Sequence, residues 1–118
     1  MDRLEQVIAE LREFVAERDW QQYHDPKNLA MALVSEAGEL AAEYRWIAND
    51  VADEWSQDSE HRERVTMEAA DVGIALLLFC DRLGVDIVSA MKAKVDLNRR
   101  NYPVDVSRGR PSRPVPNR

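Results

Sequence analysis

Cysteine occurs once in the 118 residues, as Cys80, so neither an internal disulfide nor a cluster of thiolate metal ligands can form. Cys80 follows the apolar run from Ile74 to Phe79 and reads as a small buried apolar side chain in a reducing compartment. Long apolar runs are also missing. The longest is about half of what a membrane span needs, and Met1 to Glu5 lacks the hydrophobic region of a signal peptide. A cytoplasmic protein with no membrane partner is therefore expected. Basic charge is short as well, with 16 Lys and Arg against 22 Asp and Glu and a net charge of −6. Arg108, Arg110, Arg113 and Arg118 fall in the last segment, which holds no acid, so the rest of the chain is more acidic than the total suggests. With no basic stripe elsewhere, an acidic surface repels a phosphate backbone, and nucleic acid is disfavoured as a partner. Neither strand alternation nor an internal repeat is convincing.

Helical periodicity fills most of the chain. Leu4, Val7, Ile8, Leu11, Phe14 and Val15 recur at steps of three and four, which is one face of an amphipathic helix. Asp19 to His24 breaks this pattern, and Asp25-Pro26 then offers a cap and a first-turn proline for a second helix running to about Ile47. Ala48 to Glu60 is polar and acidic and reads as a long loop carrying Trp55. A third helix is predicted from about His61 to Leu83, stopped by Gly84. Asp86 caps a fourth, with Ile87, Met91 and Val95 along one side, which Tyr102-Pro103 ends. From Val104 the prolines and arginines suggest a flexible basic tail. The expected organisation is an all-α, antiparallel four-helix bundle over residues 1–103 and a tail over 104–118. Between Val72 and Phe79 the third helix is apolar on every side, more than one neighbouring layer can cover, so a second protomer is expected there.

Four acids stand where apolar residues belong. Glu36 and Glu39 lie within Leu33-Val34-Ser35-Glu36-Ala37-Gly38-Glu39-Leu40-Ala41, and Glu68 and Asp71 within Val65-Thr66-Met67-Glu68-Ala69-Ala70-Asp71-Val72-Gly73. Three residues turn a helix by about 300°, so each pair shares one face and can converge on one point. Burying anions costs several kcal/mol each unless their pKa values rise or a cation binds. Carboxylates without His or Cys suit Mg²⁺ or Mn²⁺ and not zinc. Such a half-open oxygen site admits polyphosphate, and the expected chemistry is phosphoanhydride hydrolysis. Glu43, seven positions beyond Glu36, either joins this face or is an ordinary exposed acid. Ala37, Gly38, Ala41, Ala69, Ala70 and Gly73 either leave room beside the acids or serve helix packing alone.

Other candidates are weaker. Trp20, Tyr23, His24 and Trp46 sit at element ends, where rings sandwich a nucleobase or simply plug a core. Lys94, Asn98, Arg99 and Tyr102 form a polar stripe on the fourth helix, suited to phosphate and sugar or to solvent. Trp55 and His61 receive no role.

Taken together, these residues resemble the MazG-like all-alpha nucleoside triphosphate pyrophosphohydrolases, whose signature Glu-x-x-Glu, spacer, Glu-x-x-Asp is met by Glu36, Glu39, Glu68 and Asp71. Glu17-Arg18-Asp19-Trp20, His24 to Leu29, Glu36 to Ala41 with Trp46, and Lys94 to Pro103 look like the small dCTP pyrophosphatase branch, so the match covers most of residues 4–103. The resemblance implies that the four acids bind Mg²⁺, that Trp20 and Trp46 enclose the base, and that Lys94, Asn98 and Tyr102 contact base, sugar or phosphate. It also implies a homo-oligomer, a tetramer over a dimer, acting on nucleoside triphosphates to give monophosphate and pyrophosphate. Leu11 and Ala75 depart from the pattern, replacing a His and a Tyr of the cytosine-preferring animal enzymes, so base preference stays open. Glu39 is the candidate general base by elimination. A non-catalytic helical metal-binding or protein-interaction module is the alternative, and an enzyme for modified pyrimidine nucleotides a third.

Overall fold

The computed structural model describes residues 1–111, and no strand occurs among them. The chain divides into two compact units, Met1–Gly84 and Val85 onward.

The first unit holds four helices. Helix α1, Arg3–Glu17, begins with a capping box in which Asp2 accepts from the Glu5 amide and the Glu5 side chain accepts from the Asp2 amide. Helix α2, Pro26–Tyr44, starts as expected on Asp25, which accepts from the Asn28 amide, with Pro26 at the first position. It ends three residues before the predicted Ile47.

The predicted loop from Ala48 to Glu60 is instead mostly helical. A 3₁₀ turn at Asn49–Val51 leads into α3, Ala52–Gln57, and then into α4, Ser59–Leu83, capped by Asp58. Its acidic composition hides the tertiary contacts that order it. The Trp55 ring stacks on His61 at 4.1 Å and meets Tyr44 edge-on at 5.2 Å. His61 Nδ1 lies 2.9 Å from the Trp55 carbonyl, and the Tyr44 hydroxyl lies 2.6 Å from Ser56 Oγ. Trp55 and His61 thus fasten α3 between the end of α2 and the start of α4.

Helices α2 and α4 pack along each other. Glu36 and Glu39 meet Glu68, whereas Glu43 meets Arg64, so the two helices run antiparallel. Helix α1 is tied to α4 through Arg12, whose Nε donates to both carboxylate oxygens of Asp81 at 3.0 Å. Helix α4 stops at Gly84, whose φ of 68° is the left-handed conformation that favours glycine. Asp19 alone among described non-glycine residues has positive φ, 52°, in the turn that leads to Trp20.

The core of this unit is small. Val15, Leu29, Ala75 and Cys80 are buried, while Met31, Val34, Met67, Ile74 and Leu83 are exposed. Cys80 is buried as expected, and burial pushes its thiol pKa up. A Cβ added at Gly38 or Gly73 would meet nothing within 4 Å, so neither is a packing device against another part of the described chain. Gly38 also does not make room beside the acids. Two residues turn a helix by about 200°, which puts Gly38 opposite Glu36, on a stripe with the exposed Met31, Val34 and Ala41.

The second unit consists of α5, Ile87–Asn101, capped by Asp86, and a one-turn helix α6, Val104–Ser107. The segment expected to be flexible from Val104 therefore opens with helix, in which the Ser107 and Arg108 amides donate to the Pro103 and Val104 carbonyls. Arg113 and Arg118 lie outside the described residues. No helix among those described is long and apolar enough to cross a membrane.

Candidate active site

Three of the four signature acids gather at the α2–α4 seam. Glu36, Glu39 and Glu68 each offer an oxygen within 4.8 Å of the others. Asp71 is not one of this trio, yet it lies near enough that its charge acts on both Glu36 and Glu68. Glu36 and Glu68 are half-buried, Glu39 is exposed, and Glu36 Oε2 and Glu68 Oε2 are buried without a hydrogen-bond partner. Burial first, then repulsion from Glu39 and Asp71, pushes the Glu36 carboxyl above its ordinary range, with smaller contributions from hydrogen bonding to Glu39 and from Glu68. The same causes raise Glu68, and Glu43 adds to the repulsion there. A buried, orphaned carboxylate oxygen is costly, and two of them facing a third acid form a donor set that suits a cation.

Glu43 is neither a member of the trio nor an ordinary exposed acid. It accepts from Arg64 Nε at 3.3 Å, one turn beyond Glu39 on α2 and one turn before Glu68 on α4.

Along α4 in the other direction lies an apolar cavity of about 370 Å³, lined by residues that include Leu11, Phe14, Trp20, His24, Ile74 and Leu78. Trp20 stands edge-on to Phe14 at 5.6 Å and tilted to His24 at 6.5 Å, and Trp20 and His24 both line this one hollow. Leu11, Phe14, Ile74 and Leu78 read as core residues in the sequence, where the one signal of a different role is Leu11 as a departure from the family pattern. Trp46 is not brought there. It is 85% exposed just beyond α2, with Arg45 at 5.6 Å from its ring. In the second unit Lys94, Asn98 and Tyr102 line one open hollow of about 650 Å³ with Val95 and Arg99.

No family model matches the chain. The dCTP pyrophosphatase 1 of Bos taurus is 41% identical over 106 residues, which are 90% of this chain and 63% of that protein. The human dCTP pyrophosphatase 1 is 39% identical over 105 residues, 89% of this chain and 62% of its own length. The chain thus spans less than two thirds of these relatives. A pyrophosphatase from Archaeoglobus fulgidus superposes with a TM-score of 0.81 at 36% identity, over 87% of this chain and 94% of that one. Identity of this extent, together with the paired acids on two all-helical elements, means that the chain belongs to the MazG-like all-alpha nucleoside triphosphate pyrophosphohydrolases, beside the dCTP pyrophosphatases.

Proposed function

We propose that this chain hydrolyses (deoxy)nucleoside triphosphates to the monophosphate and pyrophosphate, with dCTP or related and modified pyrimidine nucleotides as substrates. The observation that carries the reading is the pair of buried, unpartnered oxygens on Glu36 and Glu68, facing Glu39 across the seam. An all-oxygen, acid-only donor set fits Mg²⁺ or Mn²⁺, held by Glu36, Glu39 and Glu68 with Asp71 beside them. When bound, such an ion supplies positive charge against that which builds on phosphate oxygens and the departing pyrophosphate.

The side chains divide the remaining work. Glu39 is exposed where Glu36 and Glu68 are half-buried, so it is the acid open to water and the one proposed to orient or deprotonate the attacking molecule. Trp20 and His24 present an aromatic wall and an imidazole to the cavity beyond Asp71, where a base lies against rings and aliphatic side chains. Lys94, Asn98 and Tyr102 offer an ammonium, an amide and a phenol to phosphate and sugar. A homo-oligomer, a tetramer over a dimer, completes the bundle and covers what one chain leaves open, including Trp46 and the stripe of Met31, Val34 and Gly38.

The test is incubation with Mg²⁺ and a panel of dNTPs, including methylated, oxidised and deaminated bases, with monophosphate and pyrophosphate measured. Glu36→Gln, Glu39→Gln, Glu68→Gln and Asp71→Asn should each abolish turnover while helical circular dichroism persists. Turnover surviving in two of the four, or no pyrophosphate from any nucleotide, would leave a non-catalytic helical module as the better account.

A further inference from the structure

Helix α4 is a ruler. Arg64, Glu68, Asp71, Ala75 and Leu78 follow steps of four, three, four and three and so lie on one face. At about 1.5 Å per residue, Arg64 precedes Glu68 by about 6 Å along the axis, and Leu78 follows Asp71 by about 10 Å. The order along this face is therefore guanidinium, carboxylates, then the apolar cavity with Trp20 and His24. A nucleotide whose base occupies the cavity and whose phosphates meet the carboxylates points its last phosphates at Arg64.

Arg64 is built for such a task. Its side chain is 51% exposed, and Glu43, at 21%, restrains it through Nε alone. Among the described residues no acceptor meets its terminal amino groups, which leaves that edge of the fork open. A half-exposed ion pair adds little to stability, whereas the planar fork of arginine matches two phosphate oxygens at once. Arg64 also places a positive charge at this end of the acidic seam.

Resting on the hydrolase reading above, we propose that Arg64 binds the terminal phosphates of the substrate, the part that leaves as pyrophosphate, through its terminal amino groups, while Glu43 occupies Nε alone. Arg64 then distinguishes triphosphates from monophosphates, and the monophosphate product escapes its grip.

Titration calorimetry with the α,β-imido analogue of dCTP and with dCMP, both with Mg²⁺, separates this from a structural ion pair. Arg64→Met should weaken the analogue at least tenfold, leave dCMP within twofold and not weaken Mg²⁺ binding without nucleotide. Arg64→Lys should fall between. Glu43→Gln frees the guanidinium and should leave analogue affinity unchanged or higher. Equal losses in Arg64→Met and Glu43→Gln, a matching loss for dCMP, or no loss in Arg64→Met would overturn the proposal. If the wild-type chain neither binds the analogue nor releases pyrophosphate from dNTPs, the hydrolase reading falls and takes this one with it. A wild type that hydrolyses normally beside an indifferent Arg64→Met removes Arg64 alone.

Discussion

Magnesium should raise the melting temperature of the metal-free protein, and the rise should grow with pH. The Glu36 and Glu68 carboxyls are both pushed above their ordinary value of 4.5 in the folded state, mainly by burial and next by neighbouring acids. Between that value and the raised one, the folded chain holds protons that the unfolded chain has released, so stability falls as pH rises through this window. Below the window the penalty is absent, and above it the full penalty persists. A cation competes with those protons, so its apparent affinity climbs over the same range. At a free concentration one hundred times the dissociation constant, binding adds about 2.7 kcal/mol. An unfolding entropy of about 2.1 cal/mol/K per residue over 118 residues makes that gain worth about 11 °C in melting temperature. Scanning calorimetry at pH 5.5 and pH 8, with MgCl₂ against KCl of equal ionic strength, reads it directly. Glu36→Gln should melt no lower than the wild type without metal at pH 8, and should lose the magnesium shift. A melting temperature indifferent to magnesium at both pH values, or metal-free stability that climbs through the window, would refute the reasoning.

Two further outcomes follow from the same geometry. Gly38→Ala should improve helix propensity by about 1 kcal/mol in an isolated chain, yet lower the oligomer mass measured by light scattering, on the proposal that another protomer packs against the open stripe of Met31, Val34, Gly38 and Ala41. A hotter-melting variant of unchanged mass would clear that stripe of any interface. Leu11→His places a hydrogen-bonding ring in a cavity walled by Leu11, Phe14, Ile74 and Leu78, and should widen the dCTP-to-dTTP ratio of kcat/KM, since apolar contacts discriminate only about 10- to 200-fold. An unchanged ratio would show that this wall does not read the base.

Elements whose ends carry their own chemistry are legible in the sequence. The α2 start at Asp25-Pro26, the α4 stop at Gly84 and the α5 cap at Asp86 all use local side-chain or backbone geometry. Helix α3 is not legible in this way, because nothing within Ala52–Gln57 specifies helix without help. Trp55 must find Tyr44 and His61, and Ser56 must find Tyr44, before the acidic segment gains from being ordered. Tertiary contacts of that kind leave no periodic trace in six residues.

The site shows the same division. Convergence of Glu36, Glu39 and Glu68 is readable because three-residue spacing of acids inside an apolar stretch is an anomaly that puts each pair on one helix face. The cavity is not readable, because Phe14, Ile74 and Leu78 look like core and become walls only through where α1 meets α4. Arg64 is invisible for a different reason: a charged residue early in a helix is ordinary until its distance from the acids is known. What joins these pieces is the length of α4. One helix of 25 residues spaces guanidinium, acids and aromatic cavity along a single face, so a change that rotates or shortens it by one residue would move all three out of line together. On the proposed reading, a chain whose acids alone were grafted onto another bundle would keep the metal ligands and still lack a place for either end of the nucleotide.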